Sequence, residues 1–310
     1  MLEKPMDVLE QFPVRKTKKQ KQMFRNAASD WFSRNGYECR EEAGSLGARN
    51  LVIGDPEKAK FLITAHYDTG TGMLVPNLIT PCNVVLFVLY QLVVTAVILL
   101  PAVLAGIAVG WLTDSYFPGQ LVFLILILVR IALLLWGPAN PGNANDNTSG
   151  VVTLLEIART MPKNQRDKVC FALFDLEKLG MAGAASYRKA HKAQVEKQIV
   201  LNMDCVGDGN ELMFLPVGKL KKDPQKMALL RTCCGLFGEK RISLYEKGIA
   251  VYPSDQSKFP CGVGICALRK GKLALYLSRI HTVKDTVLDQ TNVNILRAAL
   301  TSLVSRSQGE

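Results

Sequence analysis

The chain has 310 residues, enough for one α/β domain with an added membrane element. Its formal net charge is +11, but the densest basic run, residues 15–21, contains no aromatic side chain, so a nucleic-acid partner is not expected. We expect this run to form a solvated face or to contact anionic lipid headgroups. The eight cysteines include no C-x-x-C pair and fit a reducing compartment.

The N-terminal part predicts a helix followed by two short strands. Residues 20–32 favour a helix that ends before Gly36. Residues 51–53 and 61–64 are rich in β-formers and are separated by a turn signal at 54–56. The second strand leads directly into His66 and Asp68, and open α/β sheets place functional residues at the carboxyl ends of strands.

A long apolar segment comes next. Residues 69–113 contain no Lys, Arg, Asp or Glu, and within them residues 83–112 form an apolar stretch with Pro101 near its middle. A second apolar stretch, residues 120–137, contains Arg130, which costs about 2.5–3.5 kcal/mol at a bilayer centre. Since about 20 apolar residues span a bilayer, we predict two transmembrane helices joined by residues 113–119. The alternative is a hydrophobic hairpin packed on the globular domain or on a partner.

Polar motifs on both sides of this segment restrict its topology. If His66 and Asp146 meet at one site, the number of membrane crossings is even. The connecting turn lacks Lys and Arg, whereas the flanking sequence is rich in both. The positive-inside rule then places the globular part in the cytoplasm. We therefore predict an integral membrane protein in which residues 1–75 and 138–310 form the catalytic domain and residues 76–137 form an inserted hairpin.

After the insert, helices and strands alternate. Helices are predicted at residues 151–160, 183–195 and 291–305, and strands at 168–174, 198–202, 212–215 and 262–268. The strand at 198–202 leads into Asp204. This alternation predicts an α/β sandwich.

The residue types at these strand ends suit a zinc ion. Zinc binds imidazole nitrogen and carboxylate oxygen, and a ligating histidine usually pairs its second nitrogen with a carboxylate or a carbonyl. His66 and Asp68 fit this arrangement, with Asp68 as the orienting group. Taken alone, His-x-Asp is weak evidence for a metal site. The Asp-Asn-x-Ser-Gly sequence at Asp146 is also weak evidence, because it is typical of an ordinary turn.

The order of the motifs is more specific. His-x-Asp is followed by Asp-Asn-x-Ser-Gly, Phe-Asp-x-Glu, Asn-x-Asp, Ser-Asp-x-x-x-Phe and His-Thr-x-x-Asp-Thr. This series resembles the zinc exopeptidase family of the co-catalytic dizinc aminopeptidases (aminopeptidase Y-like), which is related to glutaminyl cyclases and to the transferrin receptor ectodomain. The resemblance implies a mixed-sheet α/β/α sandwich of the zinc-exopeptidase type, here with the transmembrane hairpin inserted.

The resemblance also implies roles for individual residues. His66 and Asp204 would hold one zinc, Asp146 would bridge to a second zinc, and His281 would hold that second ion together with a glutamate. Glu177 would be the catalytic general base. The segment from Ser254 and Asp255 to Phe259 would be structural or would line the pocket.

One position departs from the family pattern. Lys178 stands directly after Glu177, where the family has the glutamate that holds the second zinc. An ammonium group cannot ligate zinc and repels a dication at close range. We therefore predict one zinc, with two as the alternative, and expect Lys178 to pair with Asp146.

These features predict a membrane-anchored, aminopeptidase-like zinc metallopeptidase that hydrolyses peptide bonds with zinc-activated water and Glu177 as general base. Its partners would be a peptide or peptide-like substrate and the lipid bilayer. Because Lys178 would repel a free amine, we expect a substrate that presents a carboxylate or a neutral group there. The alternative function is a catalytically impaired pseudoenzyme that uses the same cleft to bind a ligand or a protein.

Overall fold

A mixed β-sheet organises the protein, whose computed structural model describes residues 2–73, 77–277 and 279–307. The strand order is β1-β2-β4-β3-β5-β9-β6-β8-β7, and β10 pairs with β9. Strands β4, β3, β5 and β9 run parallel, and β6 is antiparallel to β9. The strands are β1 Cys39–Ala43, β2 Arg49–Ile53, β3 Phe61–His66, β4 Val169–Phe174, β5 Ile199–Met203, β6 Glu211–Pro216, β7 Gly235–Phe237, β8 Lys240–Leu244, β9 Gly262–Lys270 and β10 Leu275–Tyr276.

Helices cover both faces of the sheet, which confirms the predicted α/β/α sandwich. One face packs against α2, α5, α8 and α9, and the other against α6 and α7. The helices are α1 Asp7–Gln11, α2 Lys18–Arg34, α3 Val84–Leu112, α4 Tyr116–Trp136, α5 Gly150–Thr160, α6 Ala182–Ala190, α7 Lys192–Val195, α8 Pro224–Arg231 and α9 Gln290–Arg306.

Side-chain alternation in β3 separates the two cores. Phe61, Ile63 and Ala65 are buried in the larger core, whereas Leu62 is buried in the smaller one. Successive side chains of a strand point to opposite faces, so a continuous apolar run fills both sides of a covered sheet. Burying one such large side chain stabilises the fold by about 1.5–3 kcal/mol.

Local signals explain the helix ends. Thr17 caps α2 by accepting a hydrogen bond from the Gln20 backbone N–H, and the Gln20 side chain completes a capping box. Gly36, with a φ of 78°, follows the end of this helix, as predicted. The helix predicted at residues 183–195 is instead divided into α6 and α7, because His191 adopts a non-helical conformation between them.

Helices α3 and α4 form the predicted apolar hairpin. Both are long and apolar enough to cross a membrane, and most of their side chains are exposed. Helix α4 begins at Tyr116, earlier than the predicted residue 120, because Pro118 is tolerated in a first helical turn. The backbones of the two helices lie in close contact at Gly106 and Gly119, where a Cβ atom would clash with the opposite backbone.

The Arg130 side chain has a partner inside this hairpin. Its guanidinium donates a hydrogen bond to the carbonyl oxygen of Ile98 in α3. Ile98 lies one turn before Pro101, whose ring disturbs the preceding turn of α3. A backbone acceptor on the facing helix therefore reduces the cost of the charge in an apolar segment.

The base of the hairpin is attached to the carboxyl edge of the parallel strands. Thr71, shortly after β3, forms an antiparallel bridge with Ala139, which follows α4. Ile79, shortly before α3, forms a second bridge with Leu277. The two long helices therefore leave the domain beside the loops that follow β3.

Candidate metal centre

Three neighbouring parallel strands bring candidate residues together. His66 is the last residue of β3, and Asp204 directly follows β5. Strand β4 pairs with β3 on the side opposite to β5, and Glu177 lies shortly after β4. Because parallel strands end at one edge of the sheet, these side chains converge there. Asp146 reaches the same edge from the turn Ala144–Ser149 that precedes α5.

His66, Asp146 and Asp204 form a buried cluster whose ligand atoms lie within 4.8 Å of one another. The Nε2 atom of His66 is 3.2 Å from Asp146 Oδ1 and 3.6 Å from Asp204 Oδ1. This buried nitrogen makes no hydrogen bond with acceptable geometry among the described residues. An imidazole nitrogen that faces two carboxylates in this way suits a bound cation such as zinc.

Hydrogen bonds orient two members of the cluster. His66 Nδ1 lies 3.2 Å from the Asp68 carbonyl oxygen and 3.4 Å from its Oδ1 atom, which suits the orienting role expected of Asp68. Ser254 Oγ donates to Asp204 Oδ2 at 2.6 Å, and Cys205 Sγ lies 3.1 Å from Asp204 Oδ1. The His66 ring and the Asp204 carboxylate are therefore each held in a defined direction.

A further carboxylate holds the Asp146 turn. Asp285 Oδ1 accepts a hydrogen bond from the Asn145 backbone N–H at 2.8 Å, and its Oδ2 accepts one from the Asp146 N–H at 2.9 Å. Burial and the nearby Asp146 carboxylate raise the pKa of Asp285 to about 7. No role was predicted for Asp285, although it is the acidic residue of the His-Thr-x-x-Asp-Thr motif.

His281 lies on the outer side of Asp146. Its Nε2 atom is 2.8 Å from Asp146 Oδ2, and its side chain is 18% exposed. His281 thus contacts the second oxygen of the carboxylate that His66 approaches from the interior. This placement agrees with the expectation that His281 faces a second metal position beside Asp146.

The Lys178 side chain lies beside Asp146, where the family's second zinc would lie, and it carries a positive charge. Its Nζ atom lies 3.2 Å and 3.1 Å from the two Asp146 oxygens and 3.0 Å from Glu177 Oε2. Burial opposes its protonation, but the Asp146 and Glu177 carboxylates raise the pKa of Lys178 well above its usual value. The ammonium therefore stays charged, and the pairing with Asp146 that we expected from the sequence is present.

Glu177 is buried at the same edge. Its backbone N–H donates to Asp68 Oδ1 at 3.1 Å, which connects the loops after β3 and β4. Asp255, which the resemblance suggested as structural or pocket-lining, is fully buried. Burial, with a further effect from the Glu177 carboxylate, raises the pKa of Asp255 well above its usual value, which favours its neutral form.

The expectation of a solvated basic face at residues 15–21 is wrong for two members of the run. Arg15 is fully buried, and its guanidinium donates to the Tyr67 carbonyl at 2.6 Å and to Thr148 Oγ1 at 3.0 Å. It therefore connects the loop of His66 with the turn of Asp146. Lys21 is also buried and pairs with Asp175 at 2.7 Å. Their burial depends on chain segments far away in sequence, which a local charge pattern does not reveal.

Solved structures with this fold include enzymes of known type. A zinc-dependent exopeptidase from Parabacteroides distasonis is 16% identical, with 94% of this chain and 92% of that chain covered and a TM-score of 0.60. A glutaminyl cyclase from Porphyromonas gingivalis is 15% identical, with 96% and 93% covered and a TM-score of 0.60. A leucine aminopeptidase precursor from Bacteroides thetaiotaomicron is 15% identical, with 94% and 91% covered and a TM-score of 0.55. A comparison with curated proteins finds no match.

The sequence pattern of peptidase family M28 matches residues 131–303. This stretch contains Asp146, Glu177, Asp204 and His281, while His66 precedes it. The match covers more than half of the chain, and the solved structures share its zinc-exopeptidase fold. Together with the motif order, these findings confirm the resemblance seen in the sequence: the chain belongs to peptidase family M28.

Proposed function

We propose that this chain is a membrane-anchored metallopeptidase that binds one zinc through His66, Asp146 and Asp204. The family and the fold support a zinc hydrolase. The single zinc is inferred mainly from one observation, namely that Lys178 Nζ contacts both oxygens of Asp146. A permanent cation at this point opposes a second metal ion, and its side chain offers no ligand.

The residues around this centre have complementary tasks. Bound zinc supplies Lewis-acid polarisation and lowers the pKa of water. Glu177 would accept the water proton as general base and later return it to the leaving amine. Asp68 holds the His66 ring, and Asp285 holds the turn that carries Asp146. Lys178 attracts a carboxylate or tolerates a neutral group of the substrate, and it repels a free amine.

We further propose that the hairpin anchors the catalytic domain to the bilayer. In this arrangement residues 1–75 and 138–310 form the catalytic domain, and residues 76–137 form the insert. The exposed apolar surfaces of α3 and α4 support the membrane assignment. The turn between them carries no Lys or Arg, which favours a cytoplasmic location for the basic domain.

The contact between Lys178 and Glu177 supports a second candidate function. At 3.0 Å, the Lys178 ammonium occupies one oxygen of the Glu177 carboxylate and competes for it with the water that a general base would hold. A protein in which this effect prevails would bind a peptide without hydrolysing it. This alternative is a metal-binding pseudoenzyme that uses the same cleft.

Zinc content of the purified full-length protein tests the proposal. We expect about one zinc per chain in the wild type, none in His66→Ala, and about two in Lys178→Glu, which restores a carboxylate ligand. Lys163→Glu makes the same charge change on an exposed residue remote from the cluster and is expected to keep about one zinc. Circular dichroism and thermal melting check that each variant is folded.

Other outcomes would contradict specific parts of the proposal. Two zinc ions in the wild type would show that Lys178 does not block the second position. An unchanged zinc content in Lys178→Glu would show that another feature blocks it. A folded wild-type protein that retains one zinc but cleaves neither free nor N-blocked peptides would favour the pseudoenzyme.

A further inference from the structure

A groove with a volume of about 760 Å³ runs between the start of α2 and the end of α4. This volume lies within the range of ordinary ligand pockets. One wall is basic and polar, the other is apolar, and both belong to segments that flank the candidate metal centre. The lining includes Lys16, Lys18, Leu134, Trp136, Asp68 and Lys178.

The apolar wall is the last turn of α4. Leu134 and Trp136 line the groove there, and Trp136 is 78% exposed. If α4 crosses the bilayer, this turn lies at the membrane–water interface, where tryptophan is enriched. A hydrocarbon chain could therefore pass from the lipid phase along this wall without crossing water.

The opposite wall carries positive charge that the protein does not neutralise. Among the residues that the structure describes, neither Lys16 nor Lys18 forms an ion pair, whereas neighbouring Lys21 is neutralised by Asp175 at 2.7 Å. Lys16 is half-buried, and its ammonium donates to Thr71 Oγ1 in the loop after β3. This arrangement complements an anionic group.

The inner end of the groove reaches the proposed catalytic residues. A Cβ atom on Gly70 would lie 3.4 Å from the side-chain carbons of Lys178, so the stem of Lys178 packs against this loop. The tip of the same side chain contacts Asp146 and Glu177. Asp68, the partner of His66, also lines the groove. An occupant can therefore extend from the membrane interface to the metal centre.

We infer that this groove admits an N-acylated amino acid or short peptide with a free carboxylate from the membrane. The acyl chain lies along the last turn of α4, the carboxylate lies beside Lys16, and the amide lies near Glu177. This inference rests on the proposed function and specifies its substrate class. Water adds to the acyl carbon, the C–N bond breaks, and the nitrogen leaves with the proton from Glu177, giving a fatty acid and an amine.

Binding is tested first, on full-length protein in phosphatidylcholine nanodiscs. The probe is N-dodecanoylglycine with a brominated chain, which quenches nearby tryptophan fluorescence. The matched probe carries the same acyl amide on ethylenediamine, so that its head group is cationic. The Trp136→Phe variant identifies the part of the quenching that comes from the groove. We expect saturable quenching of Trp136 by the anionic probe and only non-saturable quenching by the cationic one.

Lysine variants connect this binding to the groove. We expect Lys16→Gln combined with Lys18→Gln to weaken binding of the anionic probe by roughly tenfold, because ion pairs with partly exposed lysines contribute less than buried ones. Lys163→Gln, an exposed lysine elsewhere on the domain, is the matched control and should bind as the wild type does. Equal quenching by both probes, or equal binding by all lysine variants, would overturn the inference.

Two further measurements separate this inference from the proposed function. Charge-selective binding with no release of dodecanoic acid, in a protein that also cleaves no peptide, would leave the groove as a binding site but contradict the proposed hydrolase. Peptide cleavage with no release of dodecanoic acid would instead overturn the substrate class. Hydrolysis of N-acetylglycine as fast as N-dodecanoylglycine, with no effect of the lysine variants, would leave the hydrolase intact but overturn the substrate class. Tighter binding of lysophosphatidylglycerol than of N-dodecanoylglycine would identify a phospholipid site instead and would likewise overturn it.

Discussion

Replacement of Arg15 by methionine tests the most unexpected contact of the site. Arg15 is fully buried and donates to the Tyr67 carbonyl and to Thr148 Oγ1, which belong to the two loops that carry His66 and Asp146. Methionine keeps an unbranched apolar stem but has no donor. The substitution therefore leaves two buried acceptors without their partner, while most of the packing is retained.

The size of the effect follows from these contacts. A buried acceptor that loses its partner costs about 1–3 kcal/mol, so two acceptors cost about 2–6 kcal/mol. Removal of the desolvated guanidinium returns part of this free energy, so we expect a net loss of about 2–4 kcal/mol. For a domain of about 150–250 residues, each kcal/mol changes Tm by about 2–4 °C, and we therefore expect Tm to fall by about 4–16 °C.

Thermal unfolding in detergent, followed by circular dichroism, measures this shift. Arg40→Met is the matched control, because the Arg40 side chain is 45% exposed and pairs with Glu42 at 2.9 Å. Such a surface pair contributes about 0–1 kcal/mol, so the control should melt close to the wild type. If Arg15→Met melts within about 2 °C of Arg40→Met, the buried guanidinium does not hold the two loops together.

Two other predictions concern the Asp146 turn and the orientation of the hairpin. Asp285→Asn replaces one of the two oxygens that accept backbone N–H groups with an NH₂ group, and we expect a loss of about 1–3 kcal/mol in unfolding free energy together with weaker zinc retention. Thermal melting and metal analysis measure both, and unchanged values would refute a role of Asp285 in holding the turn. Asp114→Cys places a thiol in the connection between α3 and α4; in intact cells we expect it to react with an impermeant maleimide, whereas the exposed native Cys234 reacts only after lysis. The reverse labelling pattern would place the catalytic domain outside.

Lys178 changes the electrostatics of the centre rather than simply deleting a ligand. The resemblance to the family implies a glutamate at this position. Lys178 therefore places a positive charge where a negative one is expected. The ammonium lies against Asp146 and Glu177 and offsets part of their negative charge. In the single-zinc centre that we propose, this cation would supply positive charge where a second metal ion would otherwise lie. The same ammonium contacts the carboxylate of the proposed general base Glu177, so activity and metal content need separate measurements.

Much of the site follows from local sequence. His66, Glu177 and Asp204 come at or just after buried strands, and parallel strands in one sheet end at the same edge. The apolar hairpin was also predictable, because a run of this length without charges has few alternatives. The edge strand β1 was harder to predict from the sequence. It contains Arg40, Glu41 and Glu42, and such a charged segment resembles a loop.

Sequence alone therefore determined the fold class, the apolar hairpin and the candidate ligands, since each depends on periodicity or on a motif within a short segment. The tertiary structure decided the burial of Arg15, the support of the Asp146 turn by Asp285, and the groove beside Trp136. These features join segments that lie far apart along the chain. Whether a polar side chain is buried or solvated depends on which distant loop supplies its partner, and a local charge pattern carries no information about that partner.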